Sequence, residues 1–234
     1  MLACGKNVAR EILNTNVVVK NIFLLESFNN EELLSLISKN KIKCTYKTQS
    51  EMDKLTKENH QGIILEIEDY KFLDFNDIRN DSKANFIVIL DRIEDPRNFG
   101  AIIRTCECAG VDYIIVPNKG NSDVTPVVLK TSSGATANSK IVKVANLTST
   151  ISKLKQMGFW IVGAEAGGKA YTEIDYSGKI ALIIGSEGFG IKKIIKDNCD
   201  FIASIPLKGK VNSLNASVAA GILIYEVLKT RWMN

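Results

Sequence analysis

Four small polar side chains, Asn212, Ser213, Asn215 and Ser217, crowd the segment VNSLNASVAAGILIYEVL (211–228), which from Val218 onward is an almost wholly apolar helix. One of them can cap the helix by accepting from an N–H group that lacks a partner in the first turn, and capping accounts for Asn212 or Ser213. Asn215 and Ser217 then need another reason to be there, because Asn is a mediocre residue inside a helix. Free N–H groups and the positive end of the helix dipole suit an electron-rich ligand or reacting group at such a terminus. Two further segments carry residues of the same kind. RIEDPRNFGAIIRTCECAG (92–110) turns into a helix at Pro96 and Asn98, and places Arg104 among small apolar residues. On the buried side of that helix, Arg104 would need an acid such as Glu107, or a phosphate, because desolvating a lone guanidinium is costly. IIGSEGFGI (183–191) alternates Gly185, Gly188 and Gly190 with Ser186, Glu187 and Phe189. Glycines there let backbone approach a ligand closely, and the spacing differs from the dinucleotide fingerprint.

If the three segments converge, Asn98, Arg104, Glu187, Ser213 and Asn215 supply hydrogen-bond donors and acceptors, one cation and one anion. They supply neither metal ligands nor a histidine, since His60 is the only one in the chain. Cys106 and Cys108, two apart on a helix, point to different sides and make a poor chelate. A structural zinc site, a Ser-His-Asp triad and a Cys-His pair are all poorly supported. Such a set suits group transfer from an electrophile already activated on a cofactor.

The elements that must position these residues alternate between strand and helix. In the first part, IFLLE, IKCTY and GIILEI read as strands, with helices at NNEELLSLISKN and SEMDKLTKEN. EDYKFLDFNDIRNDSKAN is polar and irregular and reads as a linker. Beyond it, strands are expected at FIVILD, YIIVP, KIVKV, FWIVGAE, IALIIG and FIASIP. Helices are expected at RNFGAIIRTCECAG, after Thr125, and at NLTSTISKLKQMG, GIKKIIKDN and the C-terminal segment. Short, continuously apolar strands between helices predict an α/β fold with a mostly parallel sheet covered on both faces. The ligand then lies beyond the strands' C-terminal ends, in the loops after Leu90, Ala164, Ile184 and Ile205.

The chain has 234 residues, 45% hydrophobic and 24% charged, as ordinary globular proteins do. No apolar run approaches the ~18 residues of a membrane span, and the N-terminus lacks a secretory layout. Five scattered cysteines indicate a reducing compartment, so a cytoplasmic protein is expected. Residues 1–80 carry a net charge of −1 and residues 81–234 one of +5, a bias compatible with nucleic acid. Lys39, Lys41, Lys43 and Lys47 cluster with Tyr46, as a solvated edge strand or an RNA contact would.

The segments NFGAIIRTCECAG, IIGSEGFGI and IPLKGKVNSLNASVAAGILIYE closely resemble, in order and spacing, the three motifs of the SpoU/TrmH family of S-adenosylmethionine-dependent RNA ribose 2′-O-methyltransferases. Together they cover most of residues 86–228. GKNVAREIL and HQGIILEI resemble the small substrate-binding domain, similar to ribosomal protein L30e, of the RlmB-type branch that modifies guanosine in large-subunit ribosomal RNA. Leu207 stands where the family often has Met, and Ala216 where it has Val or Thr.

The resemblance implies an L30e-like domain at 1–70, a linker at 71–84 and a methyltransferase domain at 85–234 tied into a trefoil knot. It also implies a homodimer, an RNA substrate, S-adenosylmethionine as cofactor, and neither metal nor membrane. Arg104 is assigned to activating the hydroxyl, with Asn98, Glu187, Ser213 and Asn215 shaping the pocket. Ala164, Gly185, Glu187, Gly188, Ile205, Leu207, Leu214 and Asn215 are assigned to the cofactor, so that valine at Gly185 should fill the site while the fold survives. His60 and Gln61 are expected to offer hydrogen bonds to exposed bases. Transfer RNA is the alternative substrate, and a non-catalytic RNA-binding assembly factor the alternative role.

Overall fold

The computed structural model describes residues 1–15, 17–186 and 188–232, the side chain of Trp232 excepted. In chain order its elements are β1 (Leu2–Cys4), α1 (Lys6–Leu13), β2 (Val19–Leu25), α2 (Glu31–Lys39), β3 (Cys44–Lys47), α3 (Gln49–Leu55) and β4 (Ile63–Ile67). There follow α4 (Phe75–Asn80), β5 (Phe86–Asp91), α5 (Pro96–Cys108), β6 (Tyr113–Pro117), α6 (Pro126–Thr131), β7 (Ile141–Val144) and α7 (Leu147–Gln156). The chain ends with β8 (Phe159–Ala170), β9 (Lys179–Gly185), α8 (Lys193–Lys196), β10 (Phe201–Ser204) and α9 (Ala216–Trp232). These divide into two compact units, Met1–Lys71 with Val124–Asn138, and Phe72–Asp123 with Ser139–Asn234.

The first unit has a four-stranded sheet in the order β1-β4-β2-β3, with β4 antiparallel to both neighbours and β2–β3 parallel. Its helices start where side chains satisfy the first-turn N–H groups: Asn30 accepts from Leu33 ahead of α2, and Thr48 and Glu51 form a capping box on α3. Sequence patterning reads three strands here and misses β1 and α1. A three-residue strand has no legible period, and α1 opens on Gly5 with no side-chain cap. Helix α6, expected among the elements of the second part, belongs to the first unit and packs on β1.

The second unit is built on six parallel strands in the order β10-β8-β9-β5-β6-β7. All six residues of β5 are buried, which is why its sequence is continuously apolar rather than alternating. On one face Ile87, Ile89, Ile115, Ile161 and Ile183 pack with Ile151 and Leu154 of α7, Ile195 of α8 and Ile78 of α4. Helix α9 lies against β9 and against α5. The site segments therefore stand on a rigid, doubly covered sheet.

Residues 71–84, expected as a linker, contain α4, capped by a box between Asp74 and Asp77. Leu73 pairs with β7 through its N–H to the Ile141 carbonyl at 2.9 Å. Ile78 is fully buried in the core of the second unit. Ile78→Ala should therefore lower stability by about 2–5 kcal/mol, the range for deleting a buried aliphatic side chain. Urea unfolding monitored by circular dichroism checks this, and an unchanged midpoint would return the segment to the role of a linker.

Candidate active site

The carboxyl ends of β8, β9 and β10 open into a cavity of about 380 Å³. Ala164 and Ile184 pair across its floor, Gly185 ends β9 beside Asp91 of β5, and Ile205 follows β10. Of the residues assigned to the cofactor, Ala164, Gly185, Gly188, Ile205, Leu207 and Leu214 all line it, as does Ser213. Glu187 lies outside the described residues. A second cavity of about 250 Å³, lined by Arg92, Glu94, Asp95 and Asn98, shares Ser186, Gly188, Phe189 and Ala216 with the first.

Asn215 is the cap of α9, a role that sequence reasoning gave to Asn212 or Ser213. Its Oδ1 accepts from the Ser217 N–H at 2.9 Å, the Val218 N–H at 3.3 Å and the Ser217 hydroxyl at 2.6 Å. Those donors fix the orientation of the carboxamide, because only oxygen can accept from backbone N–H. Its Nδ2 consequently donates to Asn98 Oδ1 at 3.0 Å. Asn98 is buried in the first turn of α5, whose own cap is Asp95 accepting from the Arg97 N–H. One pair of asparagines thus ties two helix N-termini together beside the cavities, a setting favourable to electron-rich groups.

Arg104 is not on the buried side of α5. The buried stripe is Phe99, Ile102, Ile103 and Cys106, and Arg104 falls beside it, exposed. It follows Asn98 by six residues, about 9 Å along the axis and roughly 120° around it. Arg104 lines neither cavity. Burial pushes the Cys106 thiol up, which makes it inert packing.

The chain at Gly190, Ile191 and Lys192 is held from two sides. Glu165 Oε2 accepts from the Ile191 N–H at 3.0 Å, and Asp91 Oδ2, almost fully buried, accepts from the Lys192 N–H at 3.1 Å. Arg92 donates through Nη2 to the Gly190 carbonyl at 3.2 Å, with its Nε 3.5 Å from Asp91 Oδ1. A Cβ on Gly190, where φ is +58°, would overlap the Glu165 carboxylate. One on Gly185 would overlap the Gly190 backbone, so the expectation that valine there merely fills the pocket is corrected: it would break the turn. Ser186 Oγ is buried without a hydrogen-bond partner among the described residues. Sequence reasoning missed Glu165, Asp91 and Arg92, and gave Ser186 no role. The only signal was a set of acids and a serine at the ends of apolar strands.

Residues 85–225 match the model of the SpoU rRNA Methylase family, and residues 2–73 match that for RNA 2′-O ribose methyltransferase substrate binding. The chain belongs to the SpoU rRNA methylase family. A Staphylococcus saprophyticus protein assigned to the TrmH family of tRNA/rRNA methyltransferases is 37% identical over 235 residues, spanning 97% of this chain and 94% of that one. The SpoU methyltransferase AviRb from Streptomyces viridochromogenes, solved in complex with AdoMet, has a TM-score of 0.85 at 21% identity, covering all of this chain and 91% of that one. An AdoMet-bound rRNA methyltransferase from Sinorhizobium meliloti gives 0.82 at 24% identity, covering 97% and 86%. The TrmH/SpoU tRNA modifying enzyme of A. aeolicus, 30% identical, gives 0.59 and covers 64% of this chain and 77% of that one.

In this SpoU methylase, His60 is not available to RNA. It is buried, with Nδ1 accepting from the Gly62 N–H at 3.0 Å, so its proton sits on Nε2 and faces Asp53 Oδ1 at 3.2 Å. Gln49 and then His60 hold the Asp53 carboxyl below its usual range. The Gln61 side chain accepts from the Lys6 N–H at the start of α1 at 2.9 Å. Tyr46, on edge strand β3, is exposed as an RNA contact requires. His60→Ala should strand the Gly62 N–H, costing about 1–3 kcal/mol in urea unfolding while methylation per folded molecule is unchanged. Normal stability with weakened RNA binding would put His60 back on the RNA surface. Among the described residues no acid, Cys and His cluster is placed to hold a metal, and no helix is long and apolar enough to cross a membrane.

Proposed function

We propose that the methylase transfers a methyl group from S-adenosylmethionine to the ribose 2′-oxygen of a guanosine in large-subunit ribosomal RNA. The observation that carries this reading is the strand-end cavity with the Asn98–Asn215 pair at its side. The cavity fits the cofactor chemically. Apolar walls at Ile184, Ile205, Leu214 and Leu223 suit an adenine, the Glu165 carboxylate suits hydroxyls or a cation, and the Ser186 hydroxyl, without a partner among the described residues, suits a polar ligand atom. Ribosomal RNA is favoured over tRNA because the match to a solved rRNA methyltransferase extends over nearly the whole chain, whereas that to the A. aeolicus tRNA enzyme covers 64% of it. Guanosine follows from the motif resemblance.

Bound in the cavity, S-adenosylmethionine supplies an activated methyl group on a sulfonium. The protein's share is to hold the ribose hydroxyl in line with that methyl and stabilise the oxygen as its proton passes to solvent water. Asn98, Ser213 and Asn215 orient the ribose, together with Glu187. Arg104 keeps its own proton, since guanidinium does not give it up in proteins. It acts as a donor to the forming alkoxide or to an adjacent phosphate. Exposed and outside both cavities, it does so toward the site of a second copy in a homodimer. Supporting that pairing, α9 beside it exposes Val218 and Tyr225. A trefoil knot is consistent with the way α9, last in the chain, returns from edge strand β10 to β9 and α5. The first unit selects the RNA and the second performs the transfer, in the cytoplasm, where the five free cysteines stay reduced.

Titration calorimetry with S-adenosylmethionine, followed by methyl transfer to protein-free ribosomal RNA against total tRNA, tests the reading. Binding with transfer to ribosomal RNA supports it, transfer to tRNA alone replaces the substrate, and absent cofactor binding leaves a non-catalytic RNA-binding factor.

A further inference from the structure

Phe189, in the turn just before Gly190, is 83% exposed and lies on the rim of both cavities. Single exposed apolar side chains are common and need no explanation. This one is backed by a cation: the Arg92 guanidinium carbon is 6.0 Å from its ring centroid. Arg92 itself has φ of +64°, a left-handed conformation that a residue with a Cβ adopts only at a cost. Its Nη2 bond to the Gly190 carbonyl and its approach to the buried Asp91 carboxylate hold that guanidinium beneath the turn. An exposed aromatic ring backed by a cation therefore stands on the rim of the smaller cavity.

We infer that Phe189, held from below by Arg92, is the stacking platform for the nucleobase of the nucleotide that receives the methyl group, and that the smaller cavity takes that base. The inference rests on the RNA methyl-transfer reading above. Aromatic rings bind unpaired bases by stacking, and each base has a π-face to offer. The rest of that cavity's lining argues for a base and against a phosphate. Glu94 and Asp95 line it with acceptor-only carboxylates, while Arg92, the one cation among its described lining residues, lies 3.5 Å from the Asp91 carboxylate. A base edge bearing N–H donors complements that lining, and an anion does not. Arg92 is a positioning residue in this arrangement and Phe189 the contact.

Phe189→Ala, Phe189→Tyr and Phe189→Leu separate stacking from bulk. In methyl transfer to protein-free ribosomal RNA, the alanine variant should raise the KM for RNA by about 5- to 100-fold. Its kcat at saturating RNA and cofactor should stay within about twofold of the original chain's, because stacking acts on RNA binding. Tyrosine should restore the KM and leucine should not. An unchanged KM in the alanine variant or full rescue by leucine would each overturn the inference. If the original chain transfers no methyl group to RNA, the function reading fails separately. Stacking is then read by the fluorescence of 2-aminopurine in a single-stranded RNA of mixed sequence. Quenching by the original chain that Phe189→Ala abolishes supports the platform, and quenching the two share equally, or none from either, removes it.

Discussion

Arg104→Ala should lower single-turnover methylation under saturating RNA by about 10²- to 10³-fold, the usual effect of removing one preorganised donor from a developing oxyanion. Affinity for S-adenosylmethionine should be unchanged, since Arg104 lies outside the cavity. Stability should also be unchanged, because the side chain is exposed on α5. Lysine is a poor replacement, being a point charge where a planar fork of donors is used. A near-normal rate in Arg104→Ala would remove the residue from the chemistry altogether.

Ile205→Trp should abolish cofactor binding, weakening it by at least about 100-fold, while the protein stays folded. Ile205 follows β10 at the cavity wall and is only partly buried, so a larger ring extends into the open space rather than into the core. Filling the site removes the room that an adenine or a methionine moiety needs. Calorimetry with S-adenosylmethionine and a thermal melt check both halves, and intact binding would move the cofactor elsewhere. The two variants also test the dimer. Mixed and allowed to exchange subunits, an Arg104→Ala copy with a good cavity should be rescued by an Ile205→Trp copy that supplies Arg104. No recovery on mixing would mean that Arg104 acts on its own cavity.

The strands of the second unit were legible because burial on both faces writes itself as unbroken apolar runs, as at residues 86–90 and 180–184. The loops after them were legible for the same reason, since ligands in such sheets sit beyond the carboxyl ends. Other features depend on tertiary partners and leave little local trace. Residues 124–138 cluster with the first unit although they lie in sequence between β6 and β7. Arg92 adopts a glycine-like conformation without being glycine, so nothing in its type announces it. Two signals were present and misjudged. Phe99, Ile102, Ile103 and Cys106 repeat at helical spacing and leave Arg104 off the buried stripe. Asp74 and Asp77 already spelled the capping box of α4 inside a stretch that looked irregular.

The central claim is transfer to the ribose 2′-oxygen, and its most direct test is the fate of a labelled methyl group under alkali. Alkali cleaves RNA through the 2′-oxygen, so a methyl group there protects the following phosphodiester. Ribosomal RNA incubated with the protein and methyl-labelled S-adenosylmethionine, then hydrolysed, should release the label in alkali-resistant dinucleotides, and Arg104→Ala should release almost none. Label recovered in mononucleotides would mean methylation of a base, and would contradict the account.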